Sequence, residues 1–113
     1  MSIPVSPAQM DEVLARFESA SLITKSSPHV KILTVDPAMD DGTLFIENVT
    51  GSTLANVAAD PHVTLIWQQH VHHGWTLIVD GTAHVEGDRL RISMDSGMLH
   101  RPRAHADGPG WDL

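Results

Sequence analysis

PHVKILTVDPAMDDGTLFIEN, residues 28–48, holds two runs rich in β-branched and aromatic residues, separated by turn chemistry. Residues 29–35 alternate with period two, which predicts a strand. Lys31 falls between Val30 and Ile32 and so points to the face opposite them. Asp36-Pro37 ends the run, because proline has no N–H to give to a ladder. Asp40-Asp41-Gly42 is a hairpin turn signal, and residues 43–48 make the returning strand.

Reading outward from this hairpin, the same period extends in both directions. Upstream, Ser6-Pro7-Ala8-Gln9 has the form of a capping box with proline at the first helical position. Met10, Val13, Leu14 and Phe17 follow with the spacing of one apolar helix face, which predicts a helix over 7–19. Residues 21–24 read as a strand and 25–28 as a tight connection. Downstream, Thr50-Gly51-Ser52-Thr53 opens a short helix over 53–59, and Asp60-Pro61 separates it from a strand at 62–67. A polar loop covers 68–74, and a long strand covers 75–86 with a bulge or bend at Asp80-Gly81. Glu86-Gly87-Asp88 turns into a sixth strand at 89–93. The last twenty residues, with Pro102 and Pro109 among Gly and Ala, are expected to be mostly irregular. Six short strands joined by short connections predict a mainly antiparallel sheet, and closure into a small barrel would remove its exposed edges.

Composition limits what such a domain can do. The chain of 113 residues is one domain, 1–113, with enough apolar residues (42%) for a core without staples. Seven Lys and Arg stand against 14 Asp and Glu, a net charge of −7 that disfavours nucleic acid as a partner. The chain has no Cys, which excludes disulfides and thiolate chemistry. No apolar run approaches the ~20 residues of a membrane span, and no basic-then-apolar leader opens the chain, so the expectation is a soluble, cytoplasmic protein. The cations are unevenly placed: Arg16, Lys25 and Lys31 are followed by Arg89, Arg91, Arg101 and Arg103. Four Arg in so short a segment suffice for one or two phosphate or carboxylate contacts, or form a solvated tail.

Three features carry candidate chemistry. At the start of the 53–59 helix, unpaired N–H groups and hydroxyls favour an anion, although Thr50 or Ser52 can equally cap its own helix. Lys31 matters if its face meets that helix start; otherwise it is a solvated strand lysine. His70, His72 and His73 have spacing compatible with a metal or a polar contact, or they belong to a solvated loop. No carboxylate lies within that loop, and an extended backbone would turn His73 away from His70 and His72, so no metal is expected. The Gly-x-Ser-x-Gly elbow, the Gly-x-Gly-x-x-Gly fingerprint and the phosphate-binding loop are all absent.

The order of these elements resembles the pyridoxamine 5′-phosphate oxidase family, the flavin-binding split barrel. The match rests on residues 28–48, Thr50 to Thr53, Asn56, Ala59-Asp60-Pro61-His62-Val63 and Asp80-Gly81-Thr82-Ala83-His84-Val85, and it covers roughly residues 7–93. It implies a six-stranded antiparallel split β-barrel with an N-terminal helix and a short helix between strands three and four. It further implies a homodimer binding flavin mononucleotide (FMN) in clefts at its interface. Carried over residue by residue, the flavin ring would meet the backbone of Lys31, Ile32, Leu33 and Thr34, and the ring and ribityl chain would meet Ile46, Glu47 and Asn48. The phosphate would meet Lys31, where an Arg is usual, together with Gly51, Ser52 and Thr53. This chain departs from the pattern in having no Arg or Lys at that helix start, and Asp36 where a Lys is expected. The implied function is an FMN-dependent oxidoreductase acting on a small molecule. The alternatives are a deazaflavin coenzyme in the same cleft, or a flavin-binding carrier or sensor without turnover. Family members commonly complete the cleft with residues late in the chain. The segment through Trp111 is therefore expected to pack on the barrel, its own or that of the partner subunit, and to bring Arg101 or His100 toward the phosphate in place of the missing charge; the alternative is a frayed tail.

Overall fold

The computed structural model describes residues 1–111. Eight strands form one antiparallel sheet: β1 (Ser2–Pro4), β2 (Ala20–Ser26), β3 (His29–Val35), β4 (Ala38–Asp40), β5 (Thr43–Ile46), β6 (His62–Gln68), β7 (Thr76–Glu86) and β8 (Arg89–His100). Their order is β3-β2-β6-β7-β8-β5-β4, with β1 added to β8. The expected six strands are thus eight, and the path is open, ending on β3 and β4. The two unforeseen strands are three residues long, too short for period two to register. β4 pairs with β5 across the Asp41-Gly42 turn, where both residues adopt positive φ (50° and 78°) as a two-residue hairpin requires.

The largest difference is in β8, which runs on past residue 93 to His100. Asp95, Ser96 and Gly97 interrupt its apolar alternation, but a bulge absorbs the interruption. Asp80 pairs with Ser96 while Gly81 pairs with Met94, which leaves Asp95 as the extra residue. A Cβ on Gly81 would lie 2.7 Å from both Ile92 Cγ2 and the Ser93 carbonyl oxygen, so this close approach requires glycine. The bend expected at Asp80-Gly81 is present. It lets one strand pair with β5 through Leu90 to Ile92 and with β1 through Met98 to His100.

Pro7–Gln9 forms a 3-10 turn leading into α1 (Met10–Leu14). The Ser6 N–H donates to Gln9 Oε1 at 2.9 Å, and the Ser6 hydroxyl donates to the same oxygen. The helix is shorter than 7–19, because Arg16 and Phe17 donate back only three residues, to Val13 and Leu14. Its apolar face is the expected one: Met10 and Val13 are fully buried, and Leu14 and Phe17 pack against the core. α2 (Ser52–Ala59) lies between β5 and β6 and packs on β2 and β7. Trp67 and Trp75 are each only 1% exposed. The small core therefore accommodates both tryptophans within one protomer.

Beyond β8 the chain crosses the 69–75 loop and is held there. Arg101, 5% exposed, stacks its guanidinium 4.3 Å from the Trp75 ring and donates to the Pro109 carbonyl at 2.6 Å. Trp75 Nε1 donates to the same carbonyl at 2.9 Å. Trp111 stacks on Phe17 at 5.6 Å and meets Trp75 edge-on at 6.4 Å. The terminal segment thus packs on the sheet of its own protomer. A Cβ on Gly108 would come within 2.0 Å of the His73 carbonyl oxygen. Gly108→Ala is expected to lift the segment and cost about 1–3 kcal/mol, measurable by urea unfolding; an unchanged midpoint would show that the approach is loose.

At the α2–β6 junction Asp60 accepts hydrogen bonds from the His62 N–H (3.1 Å) and Nδ1 (2.8 Å), and pairs with Lys25 Nζ (3.2 Å). The His62 bonds first, and Lys25 next, pull its carboxyl down to about 2 from 3.8. A folded-state pKa below the unfolded value adds stability above pH 3.8, and that contribution is lost as pH falls through about 2. Asp60→Asn should therefore destabilise the protein at neutral pH, and the gap to the parent should close across this acid window in urea titrations.

Candidate functional site

Lys31 follows directly from strand period. In β3 it pairs with Thr24 of β2 and points away from Val30 and Ile32, toward the helix layer. There its Nζ donates to the Ser52 hydroxyl at 2.5 Å, at the first turn of α2. Directly behind, Asn56 of α2 donates through Nδ2 to Thr24 Oγ1 at 3.2 Å, and Thr24 and Thr53 are buried. A lysine on one element and a helix start on another are thus fixed against each other by a layer of polar contacts.

The turn before α2 is set by two special backbone positions. Asn48 has φ 58°, and Gly51, the N-cap, has φ 61° with ψ −132°, a combination open essentially to glycine. Val49 N–H donates to the Asp88 carbonyl at 2.6 Å, tying this turn to the β7–β8 connection. The capping by Thr50 or Ser52 is not realised: the N-cap is Gly51, and among the described residues no side-chain cap bond is present. Its first N–H groups have no intrahelical partners and carry the positive end of the helix dipole.

Between β3, the end of β5 and this turn lies a cleft of about 530 Å³. Lys31, Leu33, Thr34, Ile46, Glu47, Asn48 and Thr53 line it, all assigned to the cofactor from the sequence; so do Asp36 and Thr50, singled out beside the phosphate position, and Val35 and Val49, which were not singled out. Gly51 and Ser52 form its edge through the N-cap and the contact with Lys31. The Ile32 side chain does not line it: alternation sends it to the other face of β3, where it is 59% exposed. His100, Arg101 and Trp111 do not line the cleft either. His100 ends β8 beside Ser2, and Arg101 and Trp111 are committed to Trp75 and Phe17.

Among the described lining residues Lys31 alone is cationic, against Asp36 and Glu47. Both carboxylates have other partners. Asp36 accepts from the Ser19 hydroxyl at 2.6 Å, and Glu47 pairs with Arg89 at 3.5 Å. Arg89 also stacks 4.3 Å over Phe45 and pairs with Glu86 at 3.2 Å. Arg91 likewise pairs with Glu86, whose carboxyl is held below its ordinary range mainly by that Arg91 bond. The carboxylate contacts allowed for in the arginine-rich segment thus occur, and one of them borders the cleft.

No protein-family model and no curated protein matches the chain. Solved structures do match. A FAD-binding protein from Mesorhizobium loti has a TM-score of 0.69 at 15% identity, over 88% of this chain and 96% of its own. A candidate pyridoxamine 5′-phosphate oxidase from Listeria innocua has a TM-score of 0.70 at 13% identity, over 82% and 96%. A FAD-binding protein from Mycobacterium smegmatis has a TM-score of 0.65 at 18% identity, over 89% and 100%. At these identities the likeness is one of architecture, and it extends over nearly all of each chain. The protein has the fold of the pyridoxamine 5′-phosphate oxidase-like, flavin-binding split-barrel proteins.

Proposed function

We propose that the cleft binds FMN and that the protein is a flavin-dependent oxidoreductase acting on a small molecule. The observation that carries this reading is the Lys31 ammonium held at 2.5 Å from Ser52, beside the unpaired N–H groups of α2. One positive charge, a hydroxyl and a helix start converge at one end of a cleft whose size suits a cofactor. A terminal phosphate fits there. At the other end β3 pairs with β2 alone among the described residues, so every second N–H and C=O along its outer edge has no ladder partner. A flat heterocycle with alternating donors and acceptors fits such an edge, with Leu33 and Ile46 against its apolar face. Bound flavin would supply the redox chemistry, while Lys31, Ser52 and the strand edge bind and orient it. Asn48, fixed by its left-handed backbone, presents an amide beside the same cleft. The flavin-binding neighbours of the same architecture support this assignment.

The same reading includes a homodimer. Val30 and Ile32 on the edge strand are 54% and 59% exposed, next to the cleft, and a second protomer would cover them. Sedimentation is expected to give a species of twice 12.3 kDa at micromolar concentration; a single 12.3 kDa species would refute the dimer.

Lys31→Met is expected to weaken FMN by about 1.5–3 kcal/mol and leave riboflavin, which has no phosphate, nearly unchanged, as read by flavin fluorescence titration. Equal losses for both ligands would assign Lys31 a structural role. Anaerobic reduction of the bound flavin by a nicotinamide donor separates the oxidoreductase from a flavin carrier or sensor.

A further inference from the structure

The 69–75 loop and the C-terminal segment bring together groups that are far apart in the chain. His73 has φ 51°, a left-handed conformation. It breaks the alternation an extended loop would have, so His72 and His73 fall on one side instead of opposite sides, with rings stacked at 3.7 Å. The carboxylate missing from the loop arrives from Asp107, 34 residues beyond His73. Asp107 lies 2.5 Å from His73 Nδ1 through one oxygen and 3.4 Å from His72 Nε2 through the other. One ligand atom from each of the three residues lies within 4.8 Å of the others. His105 stacks flat on His73 at 3.8 Å with planes 2° apart, which fixes the plane of that ring. The close seating of Gly108 under the His73 carbonyl sets the position of Asp107.

We propose that His72, His73 and Asp107 form a binding site for a divalent transition metal, zinc above all. Two imidazole nitrogens and one carboxylate are a donor set suited to zinc and its neighbours. Ligand atoms about 2.0–2.1 Å from a tetrahedral ion stand roughly 3.3 Å from one another; His72 Nε2 and Asp107 already stand 3.4 Å apart, while His73 Nδ1, 2.5 Å from Asp107, must draw back by a small ring movement to admit the ion. The ion binds His73 through an unprotonated Nδ1, so a proton held there passes to Nε2 or to solvent, and the direct His73–Asp107 hydrogen bond is replaced by two bonds to the metal. Three protein ligands leave a fourth position for water. The site is separate from the flavin cleft, and its effect is mechanical: the ion clips the C-terminal segment to the β6–β7 loop. By binding the folded form alone it stabilises that form by mass action.

The test uses the full-length, untagged chain after treatment with chelator, titrated with zinc chloride in a calorimeter and melted with and without zinc. One zinc per chain is expected, with a rise in melting temperature. His72→Gln and Asp107→Asn should each weaken binding roughly tenfold or more and abolish the rise. His72 is 75% exposed, so its variant keeps the fold, which the zinc-free melt checks. His70→Gln, in the same loop but outside the cluster, should leave binding unchanged. Three results would overturn the proposal: no saturable zinc binding, equal affinity in parent and both ligand variants, or a loss in His70→Gln as large as in His72→Gln.

Discussion

The β7–β8 ladder organises everything else in the molecule. It runs from Thr76 against His100 to Glu86 against Arg89, and it is interrupted once, at the Asp95 bulge opposite Asp80 and Gly81. A regular ladder of this length would carry β8 along a single course. The extra residue, with the glycine that lets Ile92 and Ser93 close in, increases the local twist and divides β8 into two working halves. The first half pairs with β5, and thereby places the Ile46 to Asn48 wall of the cleft. The second half pairs with β1 and delivers Arg101 onto Trp75. The cleft and the C-terminal packing are thus two consequences of one irregularity.

The electrostatics of the cleft follow from how the cations are used. Of the four C-terminal-half arginines, Arg89 and Arg91 are engaged with Glu47 and Glu86, and Arg101 is buried over an indole. Moving the buried Arg101 guanidinium toward an anion in the cleft would forfeit its cation–π contact and its bond to Pro109. This explains why a charge that looked available in the sequence is not delivered to the cleft of its own protomer. The anion end therefore rests on Lys31, the Ser52 hydroxyl and the start of α2. Lysine there is a single point charge without the planar fork of arginine, so hydroxyls and N–H groups carry more of the recognition.

Much of this architecture was legible in the sequence because it rests on local, periodic signals. The alternation in β3, β6 and β7, the Asp41-Gly42 turn and the apolar face of α1 each repeat over several residues. Seven of the residues assigned to the cofactor line the cleft, because they lie on β3, around the end of β5 and at the start of α2, elements whose order along the chain is itself a local signal. The Ile32 side chain stays outside the cleft because alternation turns it to the opposite face of β3, which still leaves its backbone on the strand edge. β1, β4 and the outer half of β8 escaped because they are long-range or very short. Ser2–Pro4 becomes a strand only because Met98 to His100 lie beside it. Asp95, Ser96 and Gly97 look like a strand terminator unless the bulge is known.

His73 shows the same limit at the level of one residue. In an extended loop its ring would face away from His72, and without a nearby carboxylate the pair would have no counter-charge. Both conclusions depend on treating the loop as isolated. A single left-handed φ reverses the first, and a chain segment 34 residues away reverses the second. The conformation is tolerable for histidine, whose αL population exceeds that of most side chains, and Gly74 after it leaves room for the turn to close. A Cβ on Gly74 would meet Gln69 Cβ at 2.7 Å and Val71 Cγ2 at 2.9 Å, so the loop is compact before the C-terminal segment reaches it. The loop thus presents two imidazoles as a preformed surface. The segment carrying Asp107 docks on that surface through Arg101, Trp75 and Pro109, and through the His73 carbonyl and the His105 ring. Tertiary packing, rather than local spacing, therefore makes neighbours of three groups that the sequence holds apart.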